Sequence, residues 1–439
     1  MIRLNANVLI ARVASCSCIA GLVLGTAVSP ASAAPQYSII YQFPGGAHGI
    51  NPEAGVILGP DGSVFGTTDS DGIDAGGVVF QLTPPAAGLS AWPQKILRRF
   101  HNGTDGGYPL GLLLAASGDL YGVTLDLGGT SDGAGTVFSL TPPAAASTSW
   151  TFVTLYRFRG DSEGDSPSGS LISDASGTLS GTTILSGAGP GLQGYGTAFS
   201  LSPPPAGSSR WTETVLHRFK SSPDGATPAG TLLAGDGSVK FGVSTTGGTG
   251  ICSDVGCGTA YRLTQSEKGW AETIIYQFQG GPDGAVPVDR LIADAKGSLY
   301  GATAEGGLPG PGGHYATGTV FRLDPPAAGQ VHWTKTILYE FKGGNDGSMP
   351  EGGVTLDPSG AIYGTTEFDG THSHGTVFKL TPNTPGQLWT KITLHNFGTR
   401  TDDGADPTGP LALDASGALY GTTLFGGRSN FGTVYRITP

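Results

Sequence analysis

The feature that most constrains this sequence is a tandem repeat that runs through almost its whole length. A phenylalanine, then Gly-rich residues, an acidic residue, Gly and Pro, recurs seven times with spacings of 56 to 63 residues. The phenylalanines are Phe43, Phe100, Phe158, Phe219, Phe278, Phe341 and Phe397. A fixed period of this length indicates one array of supersecondary units rather than several unrelated domains.

Each repeat carries short runs of Val, Ile, Thr, Tyr and Phe bounded by Gly, Pro, Asp or Ser, which are typical of β-strands. In the sixth repeat we predict strands a to d at about Gly352–Leu356, Ala361–Thr366, Gly375–Leu380 and Thr390–Phe397. Sustained helical periodicity is missing after the N-terminus. The fold class is therefore all-β, a seven-bladed β-propeller with four-stranded blades. The alternative, a β-solenoid, fits poorly because its coils are shorter than this repeat of about 58 residues.

The two ends of the repeat array complement each other. Residues 37–43 match strand d without its tryptophan, and residues 432–438 match strand c. We therefore predict that the N-terminal strand pairs with the C-terminal strand in the last blade and closes the ring. This also explains why seven repeats contain six tryptophans.

The first residues differ from the rest. Arg3 and Arg12 precede an apolar run of about 11 residues and the small-residue stretch Ala31–Ala34, which predicts a secretory signal peptide over residues 1–33 and a propeller domain over 34–439. Cys16 follows a sequence resembling a lipoprotein box, but the apolar run comes after it, which favours simple export. Loss of both arginines takes the formal charge from −11 to −13, which disfavours nucleic acid as a partner.

The repeat motif resembles a known family. Gly-x-Leu-Tyr-Gly-Thr-Thr, as at 417–423, is followed by Gly-Gly and by Gly-Thr-Val-Phe-x-Leu, as at 375–380. These motifs are similar to the GloVer tandem repeats of secreted bacterial proteins, and the later tryptophan is distantly similar to kelch propellers. The resemblance implies an exported repeat protein and no defined activity. The sequence shows no C-terminal anchor, so we expect a secreted or periplasmic protein without a transmembrane segment.

The acidic position of the repeat is the first candidate site. It lies in the loop from strand d to the next strand a and is occupied by His48, Asp105, Glu163, Asp224, Asp283, Asp346 and Asp403. One interpretation is a negative ring at the channel mouth that binds a cation or sugar hydroxyls. The other is turn chemistry, in which Asp before Gly bonds nearby backbone amides. The loops between strands b and c share this face and are longest in repeats 3 to 5, where binding is also expected.

Two further loops carry potential metal ligands, and one carries cysteines. Asp69, Asp71 and Asp74 offer oxygen ligands suited to calcium, without the distal glutamate of an EF-hand. Asp369, His372 and His374, with Glu367 beside them, form a carboxylate–imidazole cluster suited to zinc or copper. A polar exposed loop explains both groups equally well, so no cofactor is predicted apart from calcium as an alternative. Cys252 and Cys257 predict a local disulfide in an exported protein, with free thiols or a redox or zinc pair as alternatives.

No catalytic motif is present: the sequence has no HExxH, no G-x-S-x-G, no P-loop and no dinucleotide fingerprint. We therefore expect a monomeric binding or scaffolding propeller for a glycan or an extracellular protein, with no catalytic residues assigned. Two alternatives stay open, a propeller hydrolase or lyase acting on polysaccharide and a purely structural surface protein.

Overall fold

The computed structural model describes residues 34–71, 76–101, 103, 105–126, 133–144, 147–187, 194–235, 237–252, 255–307, 317–384 and 386–439. The predicted signal peptide lies outside the described residues. Seven four-stranded antiparallel sheets follow one another along the chain, which confirms the predicted seven-bladed propeller. In the described part of the chain, short 3-10 turns at Gly46–His48, Gly281–Asp283 and Gly344–Asp346 lie in loops between blades.

The blades share one order of strands, with strand a first and strand d last in each sheet. Their bounds, from blade 1 to blade 7, are Val56–Leu58, Val64–Thr68, Val78–Leu82, Gln94–Arg99; Gly107–Leu114, Leu120–Asp126, Thr136–Thr141, Thr151–Arg157; Asp165–Ser173, Leu179–Leu185, Thr197–Ser202, Thr212–Arg218; Gly225–Ala234, Val239–Gly247, Thr259–Ser266, Gly269–Gln277; Ala285–Ala293, Leu299–Glu305, Thr319–Asp324, Thr334–Glu340; Val354–Leu356, Ile362–Thr366, Thr376–Thr381, Thr390–Asn396; and Ala412–Leu413, Leu419–Thr423, Thr433–Thr438, Gln36–Gln42. Gly404–Ala405 and Phe425–Gly426 add a small two-stranded sheet beside blade 7.

The ring closes as predicted from the sequences of the two chain termini. Gln36–Gln42 pairs antiparallel with Thr433–Thr438 and supplies strand d of blade 7, from Gln36 opposite Thr438 to Gln42 opposite Thr433, with a β-bulge between Ile39 and Tyr41. Blade 7 thereby has the same four strands as the other blades.

The core between blades is a ring of aromatic pairs. The phenylalanine that ends each strand d packs on an aromatic residue of strand c in the next blade, with ring centroids 5.0–5.3 Å apart. The strand c partners are Phe80, Phe138, Phe199, Tyr261, Phe321, Phe378 and Tyr435. All these rings are buried, so each contact stabilises two blades together through apolar burial and edge-on aromatic geometry.

The repeated Thr and Gly residues have structural roles within each blade. Thr366 and Thr376, for example, join strands b and c through side-chain oxygens 2.9 Å apart in the interior. Gly375 begins strand c with φ of +84°, and a Cβ there would lie 2.3 Å from the carbonyl oxygen of Thr366. Only glycine fits such a position, because it combines positive φ with close backbone approach.

Tryptophans from the strand d slot pack on the neighbouring blade. Trp150 contacts Phe65, Trp211 contacts Tyr121 and Trp333 contacts Phe241, with centroids 5.8–6.5 Å apart. In the described part of the chain, no helix has the length and apolarity needed to cross a membrane.

Candidate functional site: the axial channel mouth

The acidic position of the repeat lies beside the outermost strand of each blade. We call its six carboxylates, Asp105, Glu163, Asp224, Asp283, Asp346 and Asp403, the rim carboxylates. Each interacts with a side chain near the end of the preceding strand d, and these partners are Arg98, Tyr156, His217, Tyr276, Tyr339 and His395. His48, at the seventh position, has Nδ1 2.8 Å from Oε1 of Gln94.

The carboxylates of Asp224, Asp283, Asp346 and Asp403 also accept hydrogen bonds from backbone amides of their own loops. Asp283 accepts from the amide of Gln279 at 2.8 Å, and Asp346 accepts from the amide of Lys342 at 3.0 Å. Burial by itself raises the pKa of Asp403. Hydrogen bonds donated by His395, Tyr37 and Thr399 outweigh this effect and hold the pKa well below its usual range. This is the turn chemistry that the sequence offered as one interpretation.

A separate set of residues surrounds the ring axis. One cavity of about 260 Å³ is lined by residues from all seven blades, contributed by the start of each strand a and the turn before it. Its lining includes Glu53, Leu110, Ser168, Val288 and Glu351. Because every blade contributes, this cavity is the axial channel of the propeller.

Three repeat positions surround the end of this channel. The first position lies directly before a proline that recurs in every blade, and its backbone φ is between 51° and 58° in all seven blades. The residues at this position are Asn51, Tyr108, Ser166, Thr227, Val286, Met349 and Asp406. The second follows that proline: Glu53, Leu110, Ser168, Ala229, Val288, Glu351 and Thr408. The third ends strand b or follows it: Asp69, Leu125, Ile184, Thr245, Ala304, Glu367 and Leu424.

Backbone hydrogen bonds hold these positions together. The amide of Asp69 donates to the carbonyl of Asn51 at 3.0 Å, and the amide of Glu367 donates to the carbonyl of Met349 at 2.9 Å. The amide of Asp406 in turn donates to the carbonyl of His374 in the preceding blade at 3.1 Å. The side chains at the channel end are therefore carried on a rigid backbone frame.

Carboxylates occur at these three positions only in blades 1, 6 and 7. We call Glu53, Asp69, Glu351, Glu367 and Asp406 the acidic mouth. Among the described residues, no hydrogen bond or ion pair engages the carboxylates of the first four. The carboxylate of Asp406 lies beside a histidine: its Oδ1 is 3.9 Å from Nδ1 of His374, which forms an ion pair with it when protonated.

The acidic mouth is a crowded group in which Glu53 is exposed and Asp69, Glu351, Glu367 and Asp406 are half-buried. Burial raises the pKa of all five carboxyls. Repulsion from Asp69 and Glu351 adds to the rise at Glu53. For Glu367, burial together with repulsion from Glu351, Asp406 and Glu53 raises the pKa to about 7. Uncompensated burial and like charge both disfavour the ionised form, so this group gains from a ligand that supplies hydrogen bonds or positive charge.

The other half of the channel end is largely apolar. Blades 2 to 5 place Leu110, Leu125, Ile184, Val286 and Val288 at the positions that carry carboxylates elsewhere. A deeper exception is blade 5, where Asp289 and Arg290 line the cavity at positions that are small or neutral in the other blades. Burial raises the pKa of Asp289, and the adjacent Arg290 charge partly offsets the rise.

The predicted calcium loop is divided by the fold. Asp69 belongs to the acidic mouth, whereas Asp71 is buried with its Oδ2 3.3 Å from Nη1 of Arg99. Asp74 lies outside the described residues.

The predicted carboxylate–imidazole cluster of blade 6 is also spread out. Asp369 accepts from the hydroxyl of Ser348 at 2.5 Å, His372 is exposed beside Thr371, and His374 faces Asp406. Among the described residues, the group of His, Asp and Glu whose ligand atoms converge is a different one, His217, Asp224 and Glu272.

Cys252 and Cys257 are joined by a disulfide in the loop between strands b and c of blade 4. Cys257 is buried, and its carbonyl accepts from the amide of Val286 at 3.0 Å, so the disulfide loop is tied to the channel end. Parts of the long loops of blades 3 to 5 lie outside the described residues.

Sequence reasoning missed Glu53, Glu351, Asp406 and Asp289 as site residues. A signal for them existed, because each is an unrepeated carboxylate at a repeat position that is neutral in most blades. The repeated acidic position drew attention instead, although its regularity indicates a role in the fold.

The family can now be stated from comparison with known proteins. The profile of the Gloeobacter/Verrucomicrobia repeat matches residues 23–255 and 252–439. The chain belongs to this repeat family. None of the curated proteins matches its sequence.

Solved structures give only distant likeness. A luciferin-regenerating enzyme is 14% identical with a TM-score of 0.42, covering 75% of this chain and 90% of its own. A glucose dehydrogenase is 14% identical with a TM-score of 0.43, covering 92% of this chain and 99% of its own. Scores and identities this low carry no argument about the function of the family member described here.

Proposed function

We propose that this protein is an exported binding propeller that holds a glycan at the acidic mouth of its channel. The observation that carries the proposal is the grouping of five unrepeated carboxylates around one cavity. Among the described residues, no hydrogen bond or ion pair engages the carboxylates of Glu53, Asp69, Glu351 and Glu367, and His374 faces Asp406. Like charges held together around one cavity indicate a ligand, because their mutual repulsion is relieved when a hydrogen-bond donor or a cation binds them.

The chemistry of the two halves suits a sugar. Carboxylates accept hydrogen bonds from hydroxyl or ammonium groups, and a carboxyl with its pKa near 7 also donates one when protonated. The opposite half, with Leu110 and Val288, offers apolar contact to the C–H face of a sugar ring. A cavity of about 260 Å³ is small for a ligand site, so we expect one terminal residue to enter while the rest of the glycan lies outside.

A glycan array on the purified protein tests this function. Neutral and amino-bearing glycans are expected to bind, whereas uronic and sulfated glycans are repelled by the acidic mouth. Glu351→Gln with Glu367→Gln removes two mouth carboxylates and is expected to abolish the signal. Glu163→Gln, which also removes one negative charge but at the rim, is the matched control and is expected to leave the signal unchanged. Silence across the array, or equal binding by both variants, contradicts the proposal.

A hydrolytic function is the second candidate, and one observation favours it. Glu367 has its pKa raised to about 7 beside Glu351 and Asp406, and a carboxyl that keeps its proton near neutral pH is suited to act as a general acid. A reducing-end assay on every array ligand separates the candidates. Product formed by the wild type and lost in Glu367→Gln establishes catalysis, and binding without product supports the binding propeller.

A further inference from the structure

Polar junctions between blades are built on one plan around the ring. Six of the seven junctions combine a rim carboxylate, its partner near the end of the preceding strand d, and a residue six positions before the phenylalanine that follows the next strand d. His48 takes the place of the carboxylate at the junction of blades 7 and 1. That third residue, from the junction of blades 7 and 1 onwards, is Gln94, Phe152, Glu213, Glu272, Lys335, Lys391 and Tyr37. The seven junctions can therefore be compared position by position.

At two junctions the third residue is a buried cation. Nζ of Lys335 lies 3.0 Å from Oδ1 of Asp283, and Nζ of Lys391 lies 3.0 Å from Oδ1 of Asp346. Both lysine side chains are about 95% buried, with 4% and 5% exposed. The plan of the junction thus provides a place for one positive charge against the rim carboxylate.

The junction of blades 3 and 4 replaces that cation with a carboxylate. Glu272 occupies the lysine position and faces Asp224 and His217, and one ligand atom from each of the three lies within 4.8 Å of the others. His217 Nε2 is 3.0 Å from Oδ2 of Asp224, and this carboxylate also accepts from the amide of Lys220 at 3.1 Å.

Two oxygens at this junction lack partners. Oδ1 of Asp224 and Oε1 of Glu272 are both buried without a hydrogen bond in the described structure. Burial and the charge of Asp224 raise the pKa of Glu272 to about 7, with an opposing effect of His217. Two carboxylates and a neutral imidazole carry a charge of −2, which a divalent cation neutralises.

The expected position of that cation follows from comparing the lengths of the lysine and glutamate side chains. Lysine Nζ is five bonds from Cα, and a metal bound to a glutamate Oε is also five bonds from Cα. A metal on Glu272 therefore reaches the place that Nζ of Lys335 and Lys391 occupies at the sister junctions. We propose that His217, Asp224 and Glu272 bind one divalent transition-metal cation of the zinc class between blades 3 and 4.

The ligand set fits such an ion. Zinc takes imidazole nitrogen and carboxylate oxygen at about 2.0 to 2.2 Å, in a site usually completed to four ligands. Oδ1 of Asp224, Oε1 of Glu272 and Nε2 of His217 supply three, and His217 exchanges its bond with Asp224 for the metal. Side-chain exposures of 19% for His217 and 13% for Asp224 leave access for a water as the fourth ligand.

The neighbouring junction of blades 2 and 3 provides a matched control. Glu213 occupies the same position and also has its pKa raised to about 7, by burial and by repulsion from Glu163. Its third partner is the phenol of Tyr156 instead of an imidazole, and that hydroxyl already donates to Glu163 at 2.7 Å. We expect no zinc there.

The experiment measures zinc by calorimetric titration of the purified, chelator-treated protein. The wild type is expected to bind one zinc ion per chain, and the Glu272→Lys variant is expected to bind none. In this variant the new lysine pairs with Asp224, as Lys335 pairs with Asp283 and Lys391 with Asp346. Glu272→Lys is expected to stay folded, with a melting temperature that no longer responds to a chelator. Glu213→Gln is expected to keep the zinc.

Anomalous diffraction at the zinc edge fixes the position of the ion, with Glu272→Gln as a second variant should the lysine variant fail to fold. A zinc peak between His217 and Glu272 supports the proposal. Equal zinc stoichiometry in the wild type and in a Glu272 variant overturns it, as does a zinc peak confined to the acidic mouth or no bound zinc in the wild type.

Discussion

The rim and the mouth of this propeller use the same side-chain chemistry in opposite ways. Rim carboxylates recur around the ring, and each is bonded within its own junction, as Asp403 is by Tyr37, His395 and Thr399. Mouth carboxylates occur in blades 1, 6 and 7, and their charges repel one another. A carboxylate that recurs at six of seven repeat positions stabilises the repeat, whereas one that breaks the repeat indicates a site.

The largest effect is expected from removing a rim carboxylate. Asp403→Ala leaves the buried Tyr37 hydroxyl and His395 without their acceptor at the blade that closes the ring, and we expect a loss of about 3 kcal/mol in the free energy of unfolding. Denaturant unfolding measures it. A loss below about 0.5 kcal/mol, the usual effect of a neutral surface change, would remove the structural role assigned to the rim.

The opposite sign is expected at the mouth. Glu351→Gln with Glu367→Gln relieves burial and repulsion of ionised groups at pH 7.5, so we expect a gain of about 1 kcal/mol after allowance for solvent screening. The same denaturant experiment checks it. Destabilisation by this pair would mean that the mouth carboxylates hold the fold together.

The pH dependence of stability separates the two regions further. Because mouth carboxyls have raised pKa values in the folded state, their destabilisation is absent below their unfolded pKa and develops as pH rises through the folded pKa of about 7 for Glu367. The wild type should therefore melt at a higher temperature at pH 6 than at pH 8. Because Glu213 and Glu272 at the junctions also have pKa values raised to about 7, the double variant should lose the share of this difference that the mouth contributes and keep the rest.

Asp403 at the rim has a lowered pKa, and its contribution to stability follows the reverse sign. The stabilisation by Asp403 is present at neutral pH and above the unfolded pKa of an aspartate, and it is lost as pH falls through the lower folded pKa. A wild-type melting temperature that is lower at pH 6 than at pH 8 would contradict the raised pKa values assigned to the mouth carboxyls.

The smallest effect is expected for Glu163→Gln. The amide oxygen of glutamine still accepts from the Tyr156 hydroxyl, and repulsion with Glu213 is relieved, so stability should change by about 0.5 kcal/mol or less. Thermal unfolding checks this value. A large loss would disqualify the variant as the matched control for the mouth.

Most of the fold was predictable because short-range sequence patterns determine the strands of each blade and these patterns recur seven times. The Phe397 to Tyr435 contact and the Thr366 to Thr376 bond each recur in other blades, and the closure of blade 7 was predicted by matching residues 37–43 to strand d, which the structure places at Gln36–Gln42. The acidic mouth was not predicted as a group. Glu53 and Glu351 are almost three hundred positions apart, and only ring closure brings them to the same cavity.

The metal candidates illustrate the same limit. His372 and His374 are close in sequence but contact different partners, whereas His217 and Glu272 lie on different blades and converge. Sequence spacing finds ligands that share one loop, and it does not find ligands that two blades contribute.

The most direct test of the central claim compares the two regions with one ligand. The strongest glycan from the array is titrated calorimetrically into the wild type, the Glu351→Gln and Glu367→Gln double variant, and Glu163→Gln. Loss of charge-assisted hydrogen bonds should weaken binding by about tenfold or more in the double variant, and the rim variant should bind as the wild type does. Unchanged affinity in the double variant, or affinity lost only in the rim variant, would contradict a functional site at the acidic mouth.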